Sequence, residues 1–162
     1  MARRDPMHTE DTIWMQAPPE RVFALAADVA RWPELLPHYR WVRVAEGQDD
    51  PRVVEMAARR GPFPVRWTSF QWLHPASGRI VYRHIAGVTV GMDVEWRLTP
   101  QEGGTHVVIQ HDLVPQHWLL RIPFAPRIAA GLFVSGIARR TLHHIKLAAE
   151  RAAPGPTERG QA

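Results

Sequence analysis

A chain of 162 residues is sized for one domain with a real hydrophobic core. It has no cysteine, which excludes disulfides and thiolate metal sites and suits a reducing interior. Its formal charge of +4 comes from nineteen arginines and one lysine scattered along the chain, whereas nucleic-acid binders cluster such charge on one element, so no nucleic-acid partner is expected.

Residues 1–9 and 153–162 are polar, rich in Arg, Pro and Gly, and are expected to be disordered around a single ligand-binding domain at 10–152. Met1-Ala2-Arg3-Arg4 runs into acidic and polar residues, so no secretory signal is expected. No apolar run approaches a membrane span in length, so stable membrane insertion is not expected and a cytoplasmic location is. From Asp11 to Gln16, Ile13 and Met15 alternate with Thr12, Trp14 and Gln16, the spacing of a short strand. Ala17-Pro18-Pro19-Glu20 ends it, with Pro19 suited to the first position of a helix. That helix runs to about Ala27, with Val22, Phe23 and Ala26 on its inner face. A second short helix, bracketed by prolines, is read in residues 28–37.

From Arg40 the spacing is that of strands, near 40–47, 52–60, 64–74, 79–87, 89–99 and 105–114. Turn chemistry separates them, as in Gln48-Asp49-Asp50-Pro51, Gly61-Pro62, His74-Pro75-Ala76-Ser77-Gly78 and Gln101-Glu102-Gly103-Gly104. Such spacing suits consecutive antiparallel hairpins. The last segment, from about residue 126 to 151, is helical, with Val134, Ala138, Leu142, Ile145 and Ala149 as one stripe. Pro123 and Pro126 precede it and Pro154 ends it. Gly131 and Ser135 continue the buried arc where a filled core would carry Leu or Ile. Either they leave a cavity between helix and sheet, or they let the two backbones approach closely. The predicted fold is α+β: a seven-stranded antiparallel sheet curled around a long C-terminal helix, with two short helices after strand 1.

Two stretches resemble a known family. Ala17-Pro18-Pro19-Glu20-Arg21-Val22-Phe23-Ala24 and Asp28-Val29-Ala30-Arg31-Trp32-Pro33-Glu34-Leu35-Leu36-Pro37-His38-Tyr39 look like the opening of the START-like (SRPBCC) superfamily. Among its branches, that of polyketide cyclase/dehydrase and aromatase/cyclase proteins is the most similar. Coenzyme-Q-binding proteins of the superfamily share the Asp-Val…Pro…Leu-Pro pattern. The likeness continues through Trp67-Thr68-Ser69, Gly91-Met92-Asp93-Val94-Glu95-Trp96, Gly103-Gly104-Thr105 and Leu142-His143-His144-Ile145-Lys146. It implies a helix-grip fold enclosing a deep apolar cavity. Aromatase/cyclases of that branch fold a poly-β-ketone and promote aldol closure and dehydration. The resemblance maps a pocket tyrosine onto Tyr39, a pocket hydroxyl onto Ser69 and a lining tryptophan onto Trp67. Where those cyclases carry an arginine proposed as proton donor, this chain has Gln71. An amide can hydrogen-bond a ketone but cannot protonate it.

Other groups are weighed from the residues themselves. His111 lies on the strand face that would look inward, and an imidazole suits acid–base work or a hydrogen-bonded wall. Arg83 is read as solvated. Asp93, Glu95 and Arg97 alternate with Val94, Trp96 and Leu98, the outer, wet face of a half-buried strand. His143 and His144 lack metal-ligand spacing with a partner carboxylate, so neither metal nor other cofactor is expected. Trp32, Leu36, Trp67, Met92, Trp96 and Ile109, with Gly131 and Ser135, are expected to line the ligand site; Tyr39, Ser69, Gln71 and His111 are the candidates for chemistry. The expected activity is that of a polyketide cyclase/dehydratase on a small hydrophobic or polyketide ligand brought by an acyl carrier protein. The alternative is a non-catalytic carrier of a lipid or isoprenoid quinone.

Overall fold

The computed structural model describes residues 7–45, 50–87, 89–113 and 124–151, and of residues 124–133 the backbone alone. Strand β1 (Met7–Met15) leads into helix α1 (Pro19–Ala27), a single 3-10 turn at Val29–Arg31 and the short helix α2 (Trp32–Leu35). Strands β2 (Tyr39–Val44), β3 (Arg52–Arg60), β4 (Phe63–His74), β5 (Arg79–Gly87), β6 (Met92–Gln101) and β7 (Gly104–Leu113) follow, and helix α3 (Phe124–Glu150) closes the fold. The seven strands form one antiparallel sheet in the order β1-β7-β6-β5-β4-β3-β2. This is the predicted helix-grip architecture.

Local chemistry explains the boundaries. Pro19 occupies the first turn of α1, where its missing N–H would have had no partner. Between β4 and β5, Gly78 sits at φ +64°, and a Cβ there would lie 2.6 Å from the Leu98 carbonyl oxygen, so only glycine fits. One boundary moves outward: β1 starts at Met7, paired with Leu113, so residues 7–9 are strand and not part of a tail. Polar residues hid it, because at an edge strand one face is solvated. Another moves inward: β6 starts at Met92, with Thr89 and Val90 in a turn.

Helix α3 buries the predicted stripe, Val134, Ala138, Leu142, Ile145 and Ala149, on the concave face of the sheet. Burying a large aliphatic side chain stabilises by ~1.5–3 kcal/mol, so this stripe holds the layers together. Polar bonds fix its edge. Ser135 Oγ and Arg139 Nε both donate to the buried carboxylate of Asp11 at 2.8 Å, Lys146 Nζ reaches the Trp14 carbonyl at 2.8 Å, and the Gln16 N–H reaches Glu150 at 2.8 Å. Ser135 is therefore a partner of β1 and not, as expected, a gap beside the cavity. Gly131 lies where only the backbone is described, so its expected role falls outside the described residues. The outer face of the sheet carries Asp93, Glu95 and Arg97 in ion pairs with Arg83, Arg79 and Glu10. Among the described residues no helix is long and apolar enough to cross a membrane.

Candidate functional site

Strand alternation sends one side chain in two toward α3, and over β7 the burial pattern alternates without a break. Ile109 and His111 of β7, Met92, Val94 and Trp96 of β6, Tyr82 and His84 of β5, and Val65 and Trp67 of β4 thus converge under Val134, Ile137, Ala138 and Thr141 of α3. Trp32, Tyr39, Met56 and Thr89 complete the wall. The space among them is about 630 Å³, counting the part that opens to solvent. Its flat walls are aromatic. Tyr39 meets Trp32 edge-on at 5.0 Å and Trp67 at 6.1 Å, Trp32 lies 5.9 Å from Trp96, and the His84 imidazole stacks on Trp67 at 5.8 Å.

The polar groups in this wall are held neutral. Burial pushes the His84 pKa down to about 3, helped by His111 nearby, while its Nδ1 pairs with the Thr89 hydroxyl at 2.6 Å. Burial pushes His111 down to about 4 against the opposing pull of Asp11 and Asp112, and its Nδ1 is buried without a hydrogen-bond partner. A neutral imidazole with an unpaired nitrogen can take part in proton transfer, but it brings no positive charge at neutral pH. Burial raises both phenols: Tyr39 against the Thr141 hydroxyl, Tyr82 against Gln71 and Arg52. Both therefore stay protonated hydrogen-bond donors.

His38 supports this end. The Thr141 hydroxyl donates to the Ile137 carbonyl at 2.9 Å, so it accepts from His38 Nε2, 2.9 Å away, and that fixes the tautomer. His38 is likewise pushed down, to about 4, by burial and then by His144 and Arg140.

Gln71 does not meet the expectation that its amide faces a ligand ketone. It is fully buried and absent from the cavity wall. The cross-strand register sets Gln71 opposite Arg52 on one side and Tyr82 on the other. Arg52 donates to Gln71 Oε1 through Nε at 2.9 Å and again through Nη2, and Gln71 Nε2 reaches the Tyr82 hydroxyl at 2.8 Å. Ser69, also fully buried, has an Oγ with no hydrogen-bond partner and stands outside the wall, so it makes no pair with Tyr39. Leu36 is core behind the site and not wall.

Residues 15–141 match the family model described as polyketide cyclase/dehydrase and lipid transport. The chain belongs to this polyketide cyclase/dehydrase family. Within it, the chain is 29% identical over 106 residues to the granaticin polyketide synthase bifunctional cyclase/dehydratase of Streptomyces violaceoruber, covering 64% of this chain and 33% of that protein. It is 29% identical over 114 residues to the actinorhodin polyketide synthase bifunctional cyclase/dehydratase of Streptomyces coelicolor, covering 69% and 36%. The chain thus spans about a third of the length of the curated relatives it matches. The crystal structure of the Zhui aromatase/cyclase from Streptomyces sp. R1128 is similar over 93% of this chain and 98% of that one, with a TM-score of 0.81 and 25% identity.

In this polyketide cyclase/dehydrase family chain, Trp32, Tyr39, Trp67, Met92, Trp96, Ile109 and His111 were expected at the site and do line the cavity. Tyr82, His84, Thr89, Thr141 and Arg52 were missed. Counting inward positions from Ile80 would have found Tyr82 and His84. Arg52 was not legible, because only the strand register sets it against Gln71. Among the described residues no three His, Asp or Glu converge as a metal-ligand set.

Proposed function

We propose that the chain binds a poly-β-ketone intermediate in the cavity and promotes its aldol cyclisation and dehydration. The observation that carries this reading is the pairing of flat aromatic walls with neutral proton donors and acceptors, Tyr39, Tyr82 and His111, around one space. Aldol closure needs a base for an α-proton and a donor for the ketone oxygen, held while two carbons of the same chain meet. The neutral His111 imidazole takes the α-proton on the ring nitrogen that carries no hydrogen. The resulting carbanion bonds to a second carbonyl carbon, whose oxygen gathers charge and receives a proton through Tyr39. Loss of a further α-proton and of that oxygen as water then gives the unsaturated ring. Trp32, Trp67 and Trp96 select which carbons meet by holding the chain flat.

The substrate arrives tethered to an acyl carrier protein in the cytoplasm on this reading. A second reading, a non-catalytic carrier of a lipid or isoprenoid quinone, draws support from Gln71, whose amide is engaged by Arg52 and offers nothing charged to the cavity. Turnover of a carrier-tethered short polyketone separates the two. Tyr39→Phe is expected to lower the rate by roughly 10²-fold, the low end for a positioned general acid, with little change in binding. Equal rates in wild type and variant would favour the carrier.

A further inference from the structure

Behind the cavity wall lies a buried polar chain that the aldol scheme above does not use. Arginine carries only donors, so the Gln71 atom that receives the Arg52 guanidinium must be the amide oxygen. The guanidinium is itself pinned, because Nη2 also donates to the Ala27 carbonyl at the end of α1, 2.9 Å away. The Gln71 amide orientation is thus fixed from one side, which leaves its N–H facing the Tyr82 hydroxyl at 2.8 Å. In that bond the tyrosine oxygen accepts. Its own hydrogen must therefore point elsewhere, and among the described residues Tyr82 makes no other hydrogen bond. Tyr82 lines the cavity, so a ligand there can receive that hydrogen.

The geometry points to a directed relay, Arg52 to Gln71 to Tyr82, that sets the Tyr82 hydroxyl as the cavity's fixed donor to a ligand carbonyl oxygen. It rests on the reading that the ligand carries ketones. Charge developing on that oxygen would meet a hydroxyl polarised by an amide and, behind it, a cation, and chained hydrogen bonds strengthen one another in a low dielectric. The polarisation originates in a cation on the neighbouring strand, and no cation enters the cavity. Tyr82 touches the ligand; Arg52 and Gln71 are positioning residues.

Gln71→Glu tests the direction of the relay. The carboxylate keeps the size of the amide and pairs with Arg52, so the fold is retained. It has no N–H, so Tyr82 must now donate to Glu and turn its oxygen toward the cavity. The probe is an aminonaphthyl ketone dye whose emission moves to longer wavelength when its carbonyl accepts a hydrogen bond. Saturable binding with hydrogen-bonded emission is expected in the wild type. In both Gln71→Glu and Tyr82→Phe, each made in a Tyr39→Phe background that removes the other phenol donor, the emission should fall back to its apolar-solvent position, with Kd weakened roughly five- to tenfold against that background, the worth of one hydrogen bond. Arg52→Lys, which keeps a cation, should retain most of the wild-type emission. Hydrogen-bonded emission that survives in folded Gln71→Glu of the Tyr39→Phe background overturns the relay, as does a wild type with no shifted, saturable emission. The dye undergoes no ring closure. A wild type that passes this test yet forms no cyclised product would refute the cyclase reading and leave the relay standing.

Discussion

Acid should unfold this protein early, and the histidines of the site should be the cause. His84 and His111 have folded pKa values of about 3 and about 4 against an ordinary 6.5, in both cases chiefly through burial. His38, near Tyr39, sits at about 4 for the same first reason. A depressed histidine is neutral when folded but takes a proton in the unfolded chain as pH falls below about 6.5, so the unfolded state gains protons and stability drops. The full stability is present above that pH and is lost progressively toward the folded values. At pH 5 each such histidine costs about 2 kcal/mol relative to pH 8. Three together cost about 6 kcal/mol, against a total of ~5–15 kcal/mol for an ordinary domain. The carboxylates with lowered pKa, Asp112 and Glu150, act in the same direction but only below their own ordinary range, so the window from pH 7 to 5 belongs to the imidazoles. Urea melts at half-unit pH steps would show a slope approaching ~4 kcal/mol per pH unit near pH 5, and His111→Gln should remove about a third of it. Stability at pH 5 within ~1 kcal/mol of that at pH 7.5 would refute the reasoning.

Two further perturbations test the packing. Ala138→Leu adds three carbons at the cavity wall; the gain of ~0.8 kcal/mol per buried CH₂ and an overpacking cost of ~1–3 kcal/mol nearly cancel, so the melting point should hold while dye or ligand affinity falls at least tenfold. Unfolding by this substitution would mean the space is not there. Asp11→Ala removes the shared acceptor of Ser135 and Arg139 and should cost about 2 kcal/mol in urea melts, with faster amide exchange in β1; an unchanged midpoint would show that the apolar stripe alone holds α3.

What the sequence revealed follows from how local each signal is. The stripe Val134–Ala138–Leu142–Ile145–Ala149 repeats at helical spacing within one element, so it could be read directly, and all five are buried. Turn residues bounded the β3–β4, β4–β5 and β6–β7 hairpins for the same reason, whereas the β5–β6 connection was read as strand and proves to be a turn at Thr89 and Val90. The start of β1 was missed because an edge strand of Met7, His8 and Thr9 has little apolar contrast to read. Gln71 was misjudged for a deeper reason. Its strand position and inward face were legible, but its partners, Arg52 and Tyr82, come from strands on either side, and register is a property of the assembled sheet. Asp11 and Ser135 were likewise unreadable as a pair, being 124 residues apart.

The central claim, that this cavity folds and closes a poly-β-ketone, is met most directly by the product distribution of a carrier-tethered polyketone with and without the protein. Free in water, such a chain closes into a mixture. With the wild-type chain present, one dehydrated ring product should dominate, formed faster than any product without it. The same mixture at the same rate, with intact polyketone recovered from the protein, would contradict the account and leave a carrier.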